Sequence, residues 1–572
     1  MTPLRPPVRT APTRQVVAAA LTLLVLGAVG AVKAGLAGGD FMFDLEQAQP
    51  PLATVAPAVV ESHTPRLARR VFLVIVDGLR LDKSYDLPFL DELRRRGVDT
   101  EAQSHYPTWS RPNYVTILTG VPPSASGVRT NHHTTPVALD SLMDRVNAAG
   151  LHAATATDYD VLPRLFLRQR ANTSAALDDG EVEPGETPLA LPAVRAPDAD
   201  LVSPFSDARY APWPGGFSEA GAALADGSAE LVVLLVGAVD AAGHAHGGDS
   251  AQYREAAESA DRALARALAH VDLAQDAVVV TADHGHTGRG GHGGVEPEVL
   301  TVPLVMAGAG IAAGATSPDA RLVDIAPTVA ALLGVPAPGH GLGRTLTELL
   351  ALDPAQRAAR QTTDIARLAV TRTTVDRAEA AAAQDELGLR AQRIGLVVGG
   401  ALLATVLAIL LIRRRVLRLD VRVLLVSVPA FFIVYYALIG TLGQRFSPSL
   451  LPAQGHLAAT MAKYGIAAMV VQLAASLWAL RNQGSLGERL AAANGIAWMG
   501  LMLAMVPAGL AWAFFPPPYV TVPGPFWLVV IPAVEVAVAC AAVDVALTLL
   551  VEVIVFVARA WHRDATPIEN LD

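Results

Sequence analysis

The apolar residues of this chain follow two different patterns in its first and second halves. Four short runs, rich in valine and leucine, are typical of strands buried inside a sheet: 71–76, 231–236, 278–280 and 302–306. Three amphipathic or apolar stretches between and after them have the spacing of helices: 87–95, 252–270 and 324–334. Strands that alternate with helices predict an α/β fold with a largely parallel sheet.

The second pattern consists of apolar runs long enough to cross a bilayer, which requires roughly 20 residues. One lies near the N-terminus and five follow the α/β region: 16–32, 394–412, 423–442, 462–480, 490–515 and 526–557. A hydrophobic content of 52% and a mean hydropathy of +0.38 agree with membrane segments.

Basic residues indicate how these runs are oriented. They fill alternate loops of the second half, at 413–422, 481–489 and 559–563, and Arg5, Arg9 and Arg14 precede the first run. Because positive residues stay on the cytoplasmic side, both termini are expected there, with residues 37–393 outside. The first run is also compatible with a cleaved signal peptide, but an uncleaved anchor is favoured.

The two patterns predict five regions along the chain. These are an N-terminal transmembrane anchor (1–36), a linker (37–69), an α/β catalytic domain (70–350), a helical linker (351–393) and a five-span transmembrane region (394–560). Residues 170–215 are rich in Pro, Asp, Glu and Ala and lack periodicity, which predicts a surface insertion or a mobile loop over the site.

Charge and cysteine content limit the function classes. A net charge of −9 gives no indication of a nucleic-acid partner. The only cysteine, Cys540, excludes a disulfide within the chain and a zinc site built from several thiolates. The last apolar run contains Glu535, Asp544 and Glu552. These acids indicate either a lipid-headgroup or ion path, or two interfacial residues that leave only Asp544 deep in the membrane.

Acids and histidines follow the predicted strands directly. Asp77, Asp240 and Asp283 each come after an apolar run, and parallel strands bring such residues to one edge of a sheet. With Ser110, His244, His284 and His292 they form a set that suits two divalent ions, zinc in preference to manganese or magnesium. Two such ions about 4 Å apart support phosphoryl transfer, and Ser110 would attack. The alternative is that Asp283 caps a helix and the histidines are surface residues.

Four segments carry a family resemblance: VDGLRLDK, PTWSRPNYVTILTG, VDAAGHAHG and TADHGHTGRGGHGG. They resemble the alkaline phosphatase superfamily, most of all the GPI ethanolamine phosphate transferases and the type I phosphodiesterase/nucleotide pyrophosphatases, over about residues 70–350. The resemblance implies an alkaline-phosphatase-like sheet between helices. It also implies the site residues: Asp77, Asp283 and His284 hold one zinc with the nucleophile Ser110; Asp240, His244 and His292 hold the other; Asn131 donates to a phosphate oxygen.

Some positions leave alternatives to the family pattern. Thr108 is a second candidate nucleophile, although Ser110 aligns better with the Pro-Asn that follows it. His246 and His286 flank the ligands, but their spacing fits the motif less well. A sulfatase is disfavoured because Tyr114 stands where that motif requires arginine, and a cytosolic phosphomutase is opposed by the expected topology.

The sequence therefore predicts a membrane-anchored, two-metal phosphoryl-transfer enzyme that acts on phosphodiesters outside the cytoplasm through a Ser110 phospho-enzyme. It would be a phosphodiesterase or a phosphoethanolamine-type transferase, with a phospholipid or glycolipid as substrate, membrane lipid as partner and no nucleic acid polymer. The Ala-, Arg- and Gly-rich composition suggests a bacterial inner membrane. The alternative is a non-catalytic membrane transporter or scaffold with the same domain.

Overall fold

The valine- and leucine-rich runs form the centre of a seven-stranded sheet. The computed structural model describes residues 13–564, apart from 48–49, 53, 62–63, 160, 170–200, 203, 206, 211–214, 442–446, 451–456, 483–484, 518 and 520. The strands are β1 Val71–Val76, β2 Gly97–Gln103, β3 Ala153–Thr157, β4 Arg168–Gln169, β5 Leu201–Val202, β6 Asp207–Tyr210, β7 Leu231–Val236, β8 Ala277–Thr281 and β9 Thr301–Gly308. Their order in the sheet is β2-β9-β8-β1-β7-β3-β6, and β4 and β5 form a separate pair.

Strand direction in the sheet is mostly parallel. The five neighbours from β8 to β6 run parallel, whereas β9 is antiparallel to β8, and β2 is antiparallel to β9. Every residue of β1, β7 and β8 is buried, as expected for strands covered on both faces. The predicted α/β fold class with a largely parallel sheet is confirmed.

Helices precede, follow and connect the strands. In chain order they are α1 Thr13–Glu46, α2 Leu81–Ser84, α3 Pro88–Arg96, α4 Ser110–Thr119, α5 Pro123–Ser126, α6 Leu142–Ala148, α7 Val161–Leu165, α8 Gly215–Ala225, α9 Ala238–His246, α10 Ala251–Ala267, α11 Pro297–Leu300, α12 Ile325–Leu333, α13 Pro354–Arg413, α14 Val421–Thr441, α15 Leu457–Leu480, α16 Leu486–Phe514 and α17 Pro525–Asp564. Local signals fix several ends: the Ser250 hydroxyl caps α10, and Gly334 ends α12 with φ +70°.

One expectation about the α/β region is wrong in part. The irregular insertion predicted for 170–215 contains β6, which pairs in parallel with β3 at the edge of the main sheet. The polar sequence of this strand, DARY, has no apolar periodicity, and the strand forms by backbone pairing with β3 at the edge of the sheet. Residues 170–200 of the predicted insertion lie outside the described residues.

Six helices of the described chain are long and apolar enough to cross a membrane: Arg14–Glu46, Pro354–Arg413, Val421–Thr441, Met461–Leu480, Gly487–Phe514 and Pro525–Ala558. The predicted helical linker and the first predicted span of the second half form one continuous helix, α13, of 60 residues. It begins in a capping box between Asp353 and Gln356.

Small residues let the first and last of these helices approach closely. A Cβ placed on Gly27 of α1 would lie 3.0 Å from the carbonyl oxygen of Ala542 on α17. Close backbone approach at glycine is the usual way in which membrane helices pack. Farther along α17, Glu552 accepts from Arg489 of α16 at 2.7 Å.

Candidate active site

Three adjacent strands deliver the predicted acids to one edge of the sheet. Strand β1 lies between β7 and β8, and its carboxyl end is in register with theirs. Asp77 directly follows β1, Asp283 comes two residues after β8, and Asp240 lies in the first turn of α9 after β7. The expected convergence of these three carboxylates is present.

The first group of side chains meets at one nitrogen atom. His284 Nε2 lies 3.4 Å from Asp77 Oδ1, 3.3 Å from Asp283 Oδ2 and 3.2 Å from Ser110 Oγ. Asp77, Asp283 and His284 are buried, and they offer ligand atoms within 4.8 Å of one another. This is the set that the family resemblance implies for the first metal ion.

Each of the two carboxylates in this group accepts hydrogen bonds through only one of its oxygens. Tyr114 donates its hydroxyl to Asp77 Oδ2, and the backbone N–H groups of Gly78 and His284 donate to Asp283 Oδ1 at 3.1 and 3.0 Å. The other oxygens, Asp77 Oδ1 and Asp283 Oδ2, are buried without a hydrogen-bond partner. Buried carboxylate oxygens without a donor fit a cation, so this donor set fits a divalent metal ion.

The second group surrounds Asp240. Its Oδ1 lies 2.7 Å from His286 Nε2 and its Oδ2 lies 3.4 Å from His244 Nε2. His292 Nε2 is 3.0 Å from His244 Nε2 and 3.6 Å from Asp240 Oδ1. A second set of side chains also offers ligand atoms within 4.8 Å of one another, close enough to share a metal ion: Asp240, His284, His286 and His292. His286, which the sequence motif fits less well, is therefore inside the cluster, whereas His246 is exposed at the end of α9.

Backbone contacts determine which nitrogen of each ring carries the proton. His292 donates from Nδ1 to the carbonyl oxygen of Thr108 at 2.8 Å, and His284 donates from Nδ1 to that of Gly285 at 3.1 Å. Both rings therefore present a bare Nε2 to the site, the form in which histidine binds metal.

His286 carries its proton on the other ring nitrogen. Its Nδ1 accepts from the backbone N–H of Gly291 at 3.1 Å, so its Nε2 carries the proton and donates to Asp240. Burial lowers the pKa of His286 to about 4, which keeps the ring neutral. Because the single proton is on Nε2, this nitrogen has no free lone pair for a metal ion. This arrangement favours His286 as a positioning residue for Asp240 and His244 as the ligand.

Electrostatics separate the two carboxylate environments. Burial raises the pKa of Asp77 well above its ordinary value, and the negative charges of Asp283 and Asp240 add to this effect. Burial also acts to raise the pKa of Asp240, but the charge of His244 and the hydrogen bond from His286 hold it well below the ordinary range. The first group thus has an excess of negative charge that a bound cation would neutralise.

Ser110 is the first residue of α4, so its hydroxyl lies at the positive end of a ten-residue helix. Such an end stabilises a phosphate group. The competing nucleophile, Thr108, is fully buried and already engaged: its hydroxyl donates to the carbonyl oxygen of Gly294 at 3.0 Å and accepts from Gly293 N–H at 2.9 Å. The geometry therefore favours Ser110.

Asn131 lies beside this helix end. Its Oδ1 accepts from the backbone N–H of Arg111 at 3.0 Å, which places the side-chain amide next to the predicted nucleophile. Its role in binding a phosphate oxygen stays a prediction.

Sequence reasoning missed two residues that hold the site in place. Asn113 donates to the carbonyl oxygens of His105, Pro107 and Trp109, each at 3.1 Å, and so fixes the loop before Ser110. Tyr114, considered only for the sulfatase motif, holds Asp77. Both lie on α4 within four residues of Ser110, and their complete burial as polar residues is the signal that the sequence alone does not display.

The site lies against the ends of the apolar helices. Trp109 packs in a cluster with residues of α1, of α17 and of the segment before α17: Phe41, Met42, Leu45, Tyr519, Leu528 and Ile531. Tyr106 donates to the carbonyl oxygen of Pro523 at 2.6 Å. The loop after His292 is also held, because Gly294 N–H donates to Ser449 Oγ at 2.7 Å and Ser449 donates to Glu296 at 2.6 Å.

Comparison with known proteins agrees with the site chemistry. Residues 71–296 match the family model described as type I phosphodiesterase / nucleotide pyrophosphatase. GPI ethanolamine phosphate transferase 1 of Mus musculus is 24% identical over 339 residues, 53% of this chain and 35% of that protein, so the chain spans about a third of this relative. A 2,3-bisphosphoglycerate-independent phosphoglycerate mutase of Ruegeria pomeroyi is 37% identical over 120 residues, 20% of this chain and 23% of that protein.

Among solved structures, murine ectonucleotide pyrophosphatase / phosphodiesterase 5 aligns with 49% of this chain and 100% of its own, at a TM-score of 0.37 and 15% identity. The family match and the ethanolamine phosphate transferase relatives confirm the predicted resemblance to the alkaline phosphatase superfamily.

Proposed function

We propose that this chain, with its alkaline-phosphatase-superfamily domain, is a membrane-embedded two-metal enzyme that transfers a phosphoryl group from a phosphodiester to or through Ser110. One observation carries the proposal: two unpartnered carboxylate oxygens and the Ser110 hydroxyl converge on one histidine nitrogen at the edge of the sheet. The proposed ligands are Asp77, Asp283 and His284 with Ser110 for one ion, and Asp240, His244 and His292 for the other.

The chain's own residues set up an in-line displacement. The Ser110 oxygen forms a bond to phosphorus, the ester P–O bond breaks, and the Ser110 proton ends on the departing alcohol. Two bound divalent ions would supply Lewis acidity and lower the pKa of the attacking hydroxyl. The N-terminus of α4 and the Asn131 amide would bind phosphate oxygens, and Asn113 holds the loop before Ser110 in place through its hydrogen bonds. Attack by water on the phosphoserine gives hydrolysis; attack by a second hydroxyl gives transfer.

A lipid-linked phosphodiester is the substrate class that fits the position of the site. Trp109, next to Ser110, packs on the ends of α1 and α17, which are long enough to cross a membrane. A headgroup held near the ends of these helices would lie near the nucleophile. The name of the mouse relative, an ethanolamine phosphate transferase, supports a phosphoethanolamine-type reaction.

The topology proposed with this function has residues 37–393 outside the cytoplasm, in a bacterial inner membrane. The basic loops of the second half support it, because they lie at the helix ends away from Trp109. The loops next to Ser110 and His292 then lie at the helix ends that carry few basic residues.

The test uses full-length protein in detergent with zinc, a chromogenic phosphodiester, a chromogenic phosphomonoester and labelled phosphatidylethanolamine. Diester turnover is expected, and Ser110→Ala and Asp283→Asn should each lower it at least a thousandfold, as removal of a nucleophile or a ligand does in comparable enzymes. Label on an added glycan or lipid hydroxyl identifies a transferase, and label on released phosphoethanolamine identifies a hydrolase.

Two controls separate chemistry from folding. Asp249→Asn changes an exposed acid on the same side of the domain and should keep full turnover. Thr108→Val removes the competing hydroxyl and should leave a phospho-enzyme that forms on Ser110. If the wild-type protein neither turns over a phosphodiester nor binds metal, the proposed enzymatic function is refuted. The alternative of a non-catalytic membrane scaffold would then be favoured.

A further inference from the structure

Helix α17 carries a buried acid that the proposed phosphoryl transfer does not use. Asp544 is 2% exposed, and its Oδ1 has no hydrogen-bond partner. The membrane-spanning part of α17 is Pro525–Ala558, so Asp544 lies about 4 Å from its midpoint at 1.5 Å per residue. An acid at this depth marks a functional site by default, because a charge there is costly to keep.

A second unpartnered polar group lies one turn away. Thr548 is 1% exposed and its hydroxyl also has no hydrogen-bond partner. Residues four apart lie above one another on a helix, so the Asp544 and Thr548 side chains share one face of α17. Threonine in a helix normally satisfies its hydroxyl on the preceding turn, as Thr405 and Thr441 do in this chain. The Thr548 hydroxyl is instead available to the carboxyl group.

Asp544 differs from the other acids of α17. Glu552, equally buried, is neutralised by Arg489 through two hydrogen bonds at 2.7 and 3.1 Å. Glu535 also has a buried oxygen without a hydrogen-bond partner, Oε2, but it lies about 10 Å from the midpoint of the span at 1.5 Å per residue, against Gly38 of α1. Among the ion pairs of the described residues, none contains Asp544.

The ionisable groups of the helices packed against α17 do not supply a counter-charge. Among the residues whose side chains the structure describes, each is exposed, engaged elsewhere, near a helix end or uncharged: Arg14, Lys33, Asp40, Asp44 and Glu46 on α1, Arg422, Tyr435 and Tyr436 on α14, Lys463 and Tyr464 on α15, Glu488 and Arg489 on α16, and Cys540 on α17 itself. A carboxyl group in such surroundings is stable in two forms: as the neutral, protonated acid, or as a carboxylate that binds a cation.

We propose that Asp544, with Thr548, is an intramembrane proton-binding site. The carboxyl group takes up one proton to become neutral and releases it to become a carboxylate, with the Thr548 hydroxyl donating to the ionised form. This gives the helix bundle a group that changes charge near the middle of the membrane. The proton is preferred to a metal cation because a single carboxylate and one hydroxyl supply too few oxygen ligands for a bound ion.

The test is infrared difference spectroscopy on the full-length protein in liposomes while the pH of the medium is cycled. We expect a carbonyl band of a protonated carboxyl group that disappears at high pH and returns at low pH. Other buried acids such as Asp158 give carbonyl bands of their own, so the band of Asp544 is the component that Asp544→Asn removes. Thr548→Val should shift the frequency of this component and raise the pH at which it disappears. Glu552→Gln is the matched control: it removes an equally buried but ion-paired acid of the same helix and should leave the band in place.

The proposal fails on any of three results. The component is absent, because Asp544→Asn removes nothing from the wild-type spectrum. It is present but does not respond to pH, which would make Asp544 a permanently neutral structural residue. It disappears on addition of sodium or potassium ions at constant pH, which would make the site a cation site. Thr548→Val keeps the carboxyl group, so it decides the question if Asp544→Asn does not fold.

Discussion

Substitutions at the hydrogen bond between His286 and Asp240 test whether His286 positions Asp240 or binds a metal ion itself. His286→Leu removes the N–H that holds Asp240 Oδ1 at 2.7 Å. Loss of such a partner typically costs about 10–100-fold in metal affinity, or ~1.4–2.7 kcal/mol. His286→Gln keeps an N–H donor close to the position of Nε2 and should lose less. His244→Leu removes a ligand nitrogen, so it should lose one ion of the two.

A glycine offers an independent way to displace the same ring. A Cβ on Gly243 would lie 2.5 Å from the Cδ2 and Nε2 atoms of His286, well inside van der Waals contact. Gly243→Ala should therefore push the intact imidazole away from Asp240 and lower metal affinity to the same extent as His286→Leu. His246→Leu, which changes an exposed histidine of the same helix, is the control and should bind metal as wild type does.

The assay is equilibrium dialysis of each variant against buffered free zinc, followed by elemental analysis of the protein. The reasoning is refuted if His286→Leu loses one whole ion while His244→Leu retains both, since His286 would then be the ligand. It is also refuted if His286→Leu and His246→Leu bind zinc equally well, because the hydrogen bond to Asp240 would then have no effect on the site.

Three other outcomes follow from single contacts. Burial raises the pKa of Asp158 to about 7, so the stability that this group contributes is present below pH ~4 and is lost as the pH rises through 7. From pH 4 to 8 the melting temperature of wild type should therefore fall by several degrees relative to Asp158→Asn, which corresponds to a loss of roughly 4 kcal/mol at most in the free energy of unfolding. A constant difference between the two melting temperatures would contradict this. Asn113→Ala should lower kcat at least tenfold with both metals still bound, whereas parallel metal loss would show a different cause. Chelation should lower the melting temperature reversibly, because Asp77 and Asp283 then repel each other; no shift on zinc addition would count against the site.

The strands rich in valine and leucine were predictable from the sequence, and strands without such a run were not. The bounds of β1 and β7 agree with the predicted runs, because valine and leucine buried on both faces leave a continuous apolar signal. Strand β2, GVDTEAQ, and strand β3, AATAT, lack that signal. Backbone pairing with a neighbour decides their structure, and the neighbour is far away in the sequence.

The same distinction applies to the site. Asp77 and Asp283 were predictable because each follows a strand whose direction and neighbours fix its position. The role of His286 depends on which ring nitrogen meets Gly291 N–H, and that of Asn113 depends on three carbonyl groups of an irregular loop. Contacts of this kind arise only when distant segments pack, so residue type and spacing do not encode them.

The contacts between the apolar helices and the loops on both sides of the candidate site indicate whether these helices serve only as an anchor. A single span is enough to hold a domain at a membrane, and an anchor needs no contact with catalytic loops. Here Trp109, adjacent to Ser110, packs on α1 and α17, and the loop after His292 is bound to Ser449 before α15. A shift between these helices would therefore move the nucleophile relative to a proposed ligand. These contacts join the helix bundle to the loops that carry the candidate site, which supports the proposed lipid-linked substrate.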